Sequence, residues 1–104
     1  MDVRVDFERL AWEAPSPGIR FKTFRRGGRQ LRLLELSEGF EEREWCTRAH
    51  AFHVLEGELT LRLRDDDRTV RMKAGEVGFL EGGAGHKAIL GRGERALLLM
   101  FEEV

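Results

Sequence analysis

Three histidines and a single cysteine are the residues of this chain best suited to hold a metal or move a proton. Cys46, His50 and His53 fall within eight positions of one another, and His86 follows a glycine-rich turn, Gly82, Gly83, Ala84 and Gly85. Imidazole nitrogen, thiolate sulfur and carboxylate oxygen are the usual ligands of divalent transition metals, so spacing decides which of them can converge. Side chains alternate faces along an extended chain. If 44–54 is extended, Glu44, Cys46, Arg48, His50, Phe52 and Val54 share one face. Phe52 and Val54 are apolar, which turns that face inward. Trp45, His53 and Leu55 then point the other way, so His53 reads as an outer-face residue rather than a ligand.

Other chemistries find less support. The only serines, Ser16 and Ser37, have no nearby histidine and lie in no Gly-x-Ser-x-Gly motif, which argues against serine hydrolysis. Gly91–Arg92–Gly93 lacks the third glycine and the following helix of a dinucleotide fingerprint. Asp65, Asp66 and Asp67 read as a solvated turn, because no calcium-loop ligand spacing follows. Arg25, Arg26, Arg29 and Arg32 surround Gly27–Gly28 without interleaved stacking aromatics, so they read as a solvated hairpin tip. The turn at 82–85 offers backbone N–H groups to an anion, or is simply a tight turn before a strand. A Cys46–His50 or Cys46–His86 nucleophile pair is disfavoured by an inward strand position.

The elements that must position these residues are strands. The runs 19–25 and 30–36 flank Gly27–Gly28 as a hairpin. The runs 51–55 and 58–64 are split by Glu56–Gly57, and Val70 and Met72 lie on a return strand. Val77–Leu80 is short and apolar. The runs 87–90 and 95–102 are expected to form a last hairpin around Gly91–Gly93, with 96–101 buried on both faces. Only 6–12 has room for a helix. Eight or nine strands separated by turns predict an all-β antiparallel sandwich or barrel.

A length of 104 residues suits one domain, and 41% hydrophobic residues suffice for a core. Eighteen basic against nineteen acidic side chains exclude a strongly basic nucleic-acid binder. No apolar run reaches the roughly 18–20 residues of a membrane span. The charged first ten residues do not read as a signal peptide, and one cysteine forms no intrachain disulfide, so the expected compartment is the cytoplasm. Asparagine is absent, glutamine occurs once, and fifteen arginines accompany three lysines. That bias fits a heat-adapted source or a GC-rich genome.

Gly75, Gly83 and His86 stand at the spacing of the second cupin motif, with Glu81 where proline is usual and Leu90 where asparagine is usual. Val54, Leu55, Glu56, Gly57, Glu58 and Leu59 look like the turn that ends the first motif. Counting back from Gly57 places His50 at the motif's glutamate position, and Glu44 and Cys46 at its two histidine positions. Gly39 is one residue closer to that pair than the pattern asks. Over 39–90 the chain thus resembles the cupin family, with a degenerate first motif. The resemblance implies a small single-domain cupin over 1–104: an all-β, antiparallel double-stranded β-helix, or jelly-roll barrel, of the RmlC-like superfamily.

Glu44, Cys46, His50 and His86 would supply a carboxylate, a thiolate and two imidazoles, a set suited to zinc, iron, nickel or copper. The alternative is a barrel without metal, in which Cys46 is a small buried hydrophobe and the two histidines form a polar pair. Phe52, Val54 and Trp45 are the candidates for lining a pocket. With a metal, the resemblance implies a dioxygenase-like or isomerase-like enzyme acting on a small molecule, with Glu44 as base if it is not a ligand. Without one, it implies a small-ligand-binding or structural and regulatory cupin. A homodimer is the expected assembly, with no nucleic-acid or membrane partner.

Overall fold

Alternating apolar and polar residues build eight strands in the computed structural model, which describes residues 2–104. They are β1 (Glu13–Ser16), β2 (Ile19–Arg26), β3 (Arg29–Leu36), β4 (His50–Leu63), β5 (Arg68–Lys73), β6 (Val77–Leu80), β7 (His86–Ile89) and β8 (Ala96–Glu103). All pairings are antiparallel. One sheet runs β1-β2-β3-β8-β4, and β6 adds to the start of β4. The second half of β4 leaves that sheet and pairs with β5 and with β7. β4 therefore belongs to both sheets, which together form an all-β jelly roll.

The crossing is a bulge between Val54 and Glu56, followed by Gly57 at φ 75°. A Cβ at Gly57 would lie 1.7 Å from the Arg95 carbonyl oxygen, so this corner admits only glycine. The expected break at Glu56–Gly57 is thus a bend inside one strand of 14 residues. The bulge re-aims β4 without ending its ladder.

Inward-facing residues of both sheets make the core, with Leu36, Leu59, Leu90 and Val54 its largest fully enclosed side chains. In β8 the inward set is Ala96, Leu98, Met100 and Glu102, whereas Leu97 and Leu99 are half-buried and Phe101 is 47% exposed. The expectation that 96–101 is buried on both faces is corrected: one face packs on the core and the other lies on the outside of the sheet.

The expected last hairpin is also corrected. β7 and β8 do not form a hairpin, because β7 pairs with β4 in one sheet while β8 lies between β3 and β4 in the other. Gly91–Gly93 is a crossover between sheets. The stretch 6–12 holds the expected short helix, a 3₁₀ turn at Phe7–Arg9, capped by Asp6, whose side chain accepts from the Glu8 N–H. The proline-bearing stretch after it forms β1, an edge strand, where a missing N–H is tolerated.

Candidate functional site

The chain between β3 and β4 is not the extended run assumed for 44–49. It bends at Arg43 and Glu44, and its backbone meets β7 through two isolated bridges, Glu41 to Ile89 and Cys46 to His86. The second bridge sets the site. The Cys46 N–H donates to the His86 carbonyl and the His86 N–H to that of Cys46, each at 3.0 Å. His86 opens β7 and His50 opens β4, so two strand starts and one bridge bring three side chains to one point.

The side-chain donor atoms of Cys46, His50 and His86 all lie within 4.8 Å of one another, close enough to hold a metal ion. Cys46 Sγ is 3.4 Å from His50 Nε2, and the two imidazoles meet edge to face with centroids 5.3 Å apart. Both histidines are buried. Burial pushes the His86 pKa below its ordinary value, helped by the neighbouring His50 and opposed by the Ala84 carbonyl. His86 is therefore neutral at physiological pH, the form that offers a lone pair.

Each ring is oriented from behind. His86 Nδ1 faces the Ala84 carbonyl at 3.4 Å, and His50 Nδ1 lies 2.7 Å from Glu102 Oε2. The two atoms are close, yet the ring nitrogen is not aligned for a hydrogen bond. Glu102 also accepts from Gln30 Nε2 at 2.7 Å and Arg32 Nη2 at 3.0 Å. Burial raises the Glu102 pKa, but the bonds from His50 and Gln30 and the Arg32 charge outweigh it and hold it at about 2. Glu102 is thus an ionised buried carboxylate. Glu102 and the Ala84 carbonyl lie on the Nδ1 side of the two rings, and His50 Nε2 faces Cys46 Sγ.

Glu44 lies exposed on the bend and outside this group; the face-sharing argument for it fails because its segment is not a strand. The nearby inward acid is Glu42, which accepts from the Ala88 N–H at 2.9 Å and whose pKa burial raises. Phe52 lines the interior cavity, and its ring lies over Gly78, where a Cβ would come within 2.2 Å. Val54 is fully enclosed in the core and does not line that cavity. Trp45 lies outside the cavity, with Lys87 Nζ 4.6 Å from its ring centroid. His53 is half-buried on the outward face, opposite Leu99. Glu102 went unread in the sequence, although alternation from Ala96 through Met100 points it inward.

The interior cavity holds about 220 Å³ and is lined by Cys46, His50 and His86 together. Apolar walls come from residues such as Leu34, Phe52, Leu61 and Met100, and its charged lining is Arg32, Glu42 and Arg48. A larger groove of about 940 Å³ opens on the outer sheet face beside Phe79 and Phe101. It reaches His50 but neither Cys46 nor His86, so the three side chains meet at the smaller cavity.

This arrangement defines an antiparallel jelly-roll barrel with a polar cluster inside it. No family model matches the chain, and no curated protein matches its sequence. Solved structures do. The polyketide cyclase RemF from Streptomyces resistomycificus superposes with a TM-score of 0.85 at 24% identity, covering 99% of this chain and 80% of that one. An RmlC-like cupin from Shewanella frigidimarina NCIMB 400 gives 0.80 at 15% identity, covering 99% and 91%. KdgF from Halomonas sp. gives 0.74 at 14% identity, covering 93% and 89%. The chain has the fold of a small cupin domain.

Proposed function

We propose that this cupin binds one divalent transition metal through Cys46, His50 and His86 and works on a small molecule held in the interior cavity. The observation that carries the reading is the convergence of three donor atoms within 4.8 Å. The donor set suits the ion. Zinc bond lengths in tetrahedral geometry predict about 3.5 Å between a sulfur and a nitrogen ligand, and Cys46 Sγ and His50 Nε2 are 3.4 Å apart. Glu102 and the Ala84 carbonyl stand behind the two rings, as partners of ligating histidines do. Two imidazoles and a thiolate favour zinc, iron, nickel or copper over magnesium or manganese. Three protein ligands leave a position for substrate, and a bound ion there supplies Lewis-acid polarisation of a substrate oxygen. RemF is a polyketide cyclase; for this chain that supports only a barrel able to host reactions of a small organic molecule, dioxygenase-like or isomerase-like.

Elemental analysis of untagged protein purified without chelator, beside a Cys46→Ser, His50→Ala variant, tests this. About one metal per chain, lost in the variant, is expected. No metal in either sample, even after soaking with zinc, iron, nickel and copper salts, overturns the metal reading and leaves a ligand-binding cupin, with Cys46 simply hydrogen-bonded to His50.

Two copies are proposed to pair through the outer sheet face. Strand register places Phe24, Leu31, Phe101, Ala51 and Phe79 in one row across five strands, with Leu33, Leu99, His53 and Val77 in the next. Phe79 and Val77 are 78% and 70% exposed. Five strands at about 4.8 Å and two outward residues per strand give an apolar footprint of roughly 300 Å² before side-chain relief, a central part of the roughly 800 Å² each partner contributes to a stable interface. At one end of the band Arg20 and Arg95 pair with Glu35, and Arg95 also with Glu56, so that rim seeks no charged partner.

A further inference from the structure

The cavity's shape and charge say more about its ligand than the donor cluster does. Its apolar walls and volume of about 220 Å³ exceed the roughly 150 Å³ of an apolar cavity that holds benzene, so one or two fused rings fit. The polar lining is lopsided. Arg32 and Arg48 face a single carboxylate, Glu42, which already accepts from the Ala88 N–H. Glu102 stands behind His50, spent on Arg32, Gln30 and His50. Arg32 uses its Nη2 on Glu102, while its Nε is buried with no partner. A buried guanidinium N–H left unpaired is costly, so the Arg32 head is held in place by Glu102 at the edge of the cavity rather than by a full set of bonds. Arg48 is exposed, borders the interior cavity and both neighbouring grooves, and makes no ion pair among the described residues. It stands at the exposed edge of the cavity.

We infer that the cavity takes a small aromatic carboxylate. Its ring system packs against Phe52, Leu61 and Met100, and its carboxylate lies at the arginine side of the cavity, against Arg48 and beside the Arg32 side chain. Arginine is the side chain best matched to a planar carboxylate, and such charge-assisted bonds are the strong ones. This deepens the small-molecule reading above and rests on it. A metal at Cys46, His50 and His86 would add positive charge beside the same carboxylate but is not required for it.

The test is calorimetric titration of 2-naphthoate and of neutral 2-naphthylmethanol into the full chain, once loaded with zinc and once after chelator. Naphthoate should bind at least about tenfold tighter than the alcohol, and Arg48→Gln should remove about tenfold of naphthoate affinity while leaving the alcohol unchanged. Because Arg48 is exposed, an unchanged melting curve will show that the variant folds. Equal affinity for acid and alcohol, indifference to Arg48→Gln, or no binding of either probe overturns the inference. Zinc uptake without naphthoate binding overturns the ligand class and leaves the metal reading standing. Naphthoate binding in a protein that takes up no zinc supports the ligand class and removes the metal.

Discussion

Glu102 shows how much one side chain can carry. It joins Gln30, Arg32 and His50 in a single buried network. Glu102→Gln keeps the shape and removes the charge, leaving Arg32 without its buried counter-ion and His50 beside a neutral amide. A loss of about 3 kcal/mol at neutral pH is expected from urea unfolding, and zinc affinity should fall about 10–100-fold in a chelator competition. Unchanged zinc affinity would show that Glu102 does not orient His50 for a metal. The same carboxylate sets a pH dependence. Its folded pKa, about 2, lies below the ordinary 4.5. Its contribution to stability is therefore complete above the ordinary value and is lost as pH falls from there toward about 2. The gap corresponds to about 3 kcal/mol at most. His86, also lowered, acts in the same direction, starting as pH falls below its ordinary value of 6.5. Urea unfolding of the metal-free chain at a series of pH values should show both losses. Glu102→Gln should flatten only the acidic one.

At the scale of the element, β4 does most to position the site. Its first residue is His50, its bulge and Gly57 turn it from one sheet into the other, and its second half carries β7, which begins with His86. Gly57→Ala puts a methyl group 1.7 Å from the Arg95 carbonyl oxygen, in a backbone conformation that already favours glycine. Neither the carbonyl nor β8 behind it can withdraw without breaking the pairing of Gly57 with Ala96. The expected cost exceeds about 3 kcal/mol, read as a lower Tm or as failure to fold. Gly27→Ala serves as the control, because a Cβ there meets nothing within 4 Å and only the positive φ is strained. A Tm for Gly57→Ala equal to that of Gly27→Ala would mean that the corner is not as tight as the geometry says.

For the whole molecule, the outer sheet face is the feature that an isolated chain leaves unexplained. Phe79→Glu changes a side chain that is 78% exposed, so the stability of a single chain should move by no more than about 0.5 kcal/mol. Light scattering should nevertheless shift from the mass of two chains to that of one. A wild-type mass of one chain at high concentration would defeat the pairing. No helix among the described residues is long and apolar enough to cross a membrane.

Alternation in β2 and β3, the glycines at turns and the spacing of Gly75, Gly83 and His86 made the all-β barrel legible in the sequence. They are local signals, in which the period of the side chains and the geometry of a turn are written into neighbouring residues. Cys46, His50 and His86 were legible as candidates for the same reason. Their meeting was not, because it depends on the Cys46–His86 bridge between stretches 40 positions apart in sequence. Glu44 failed because a bend at 43–44 broke an alternation that the sequence alone could not limit. Glu102 came from the far end of the chain, and its role arises only because β8 lies between β3 and β4, bringing Gln30, Arg32 and His50 to it. Local periodicity settles which face a side chain takes; strand order across the sheet settles what it meets there.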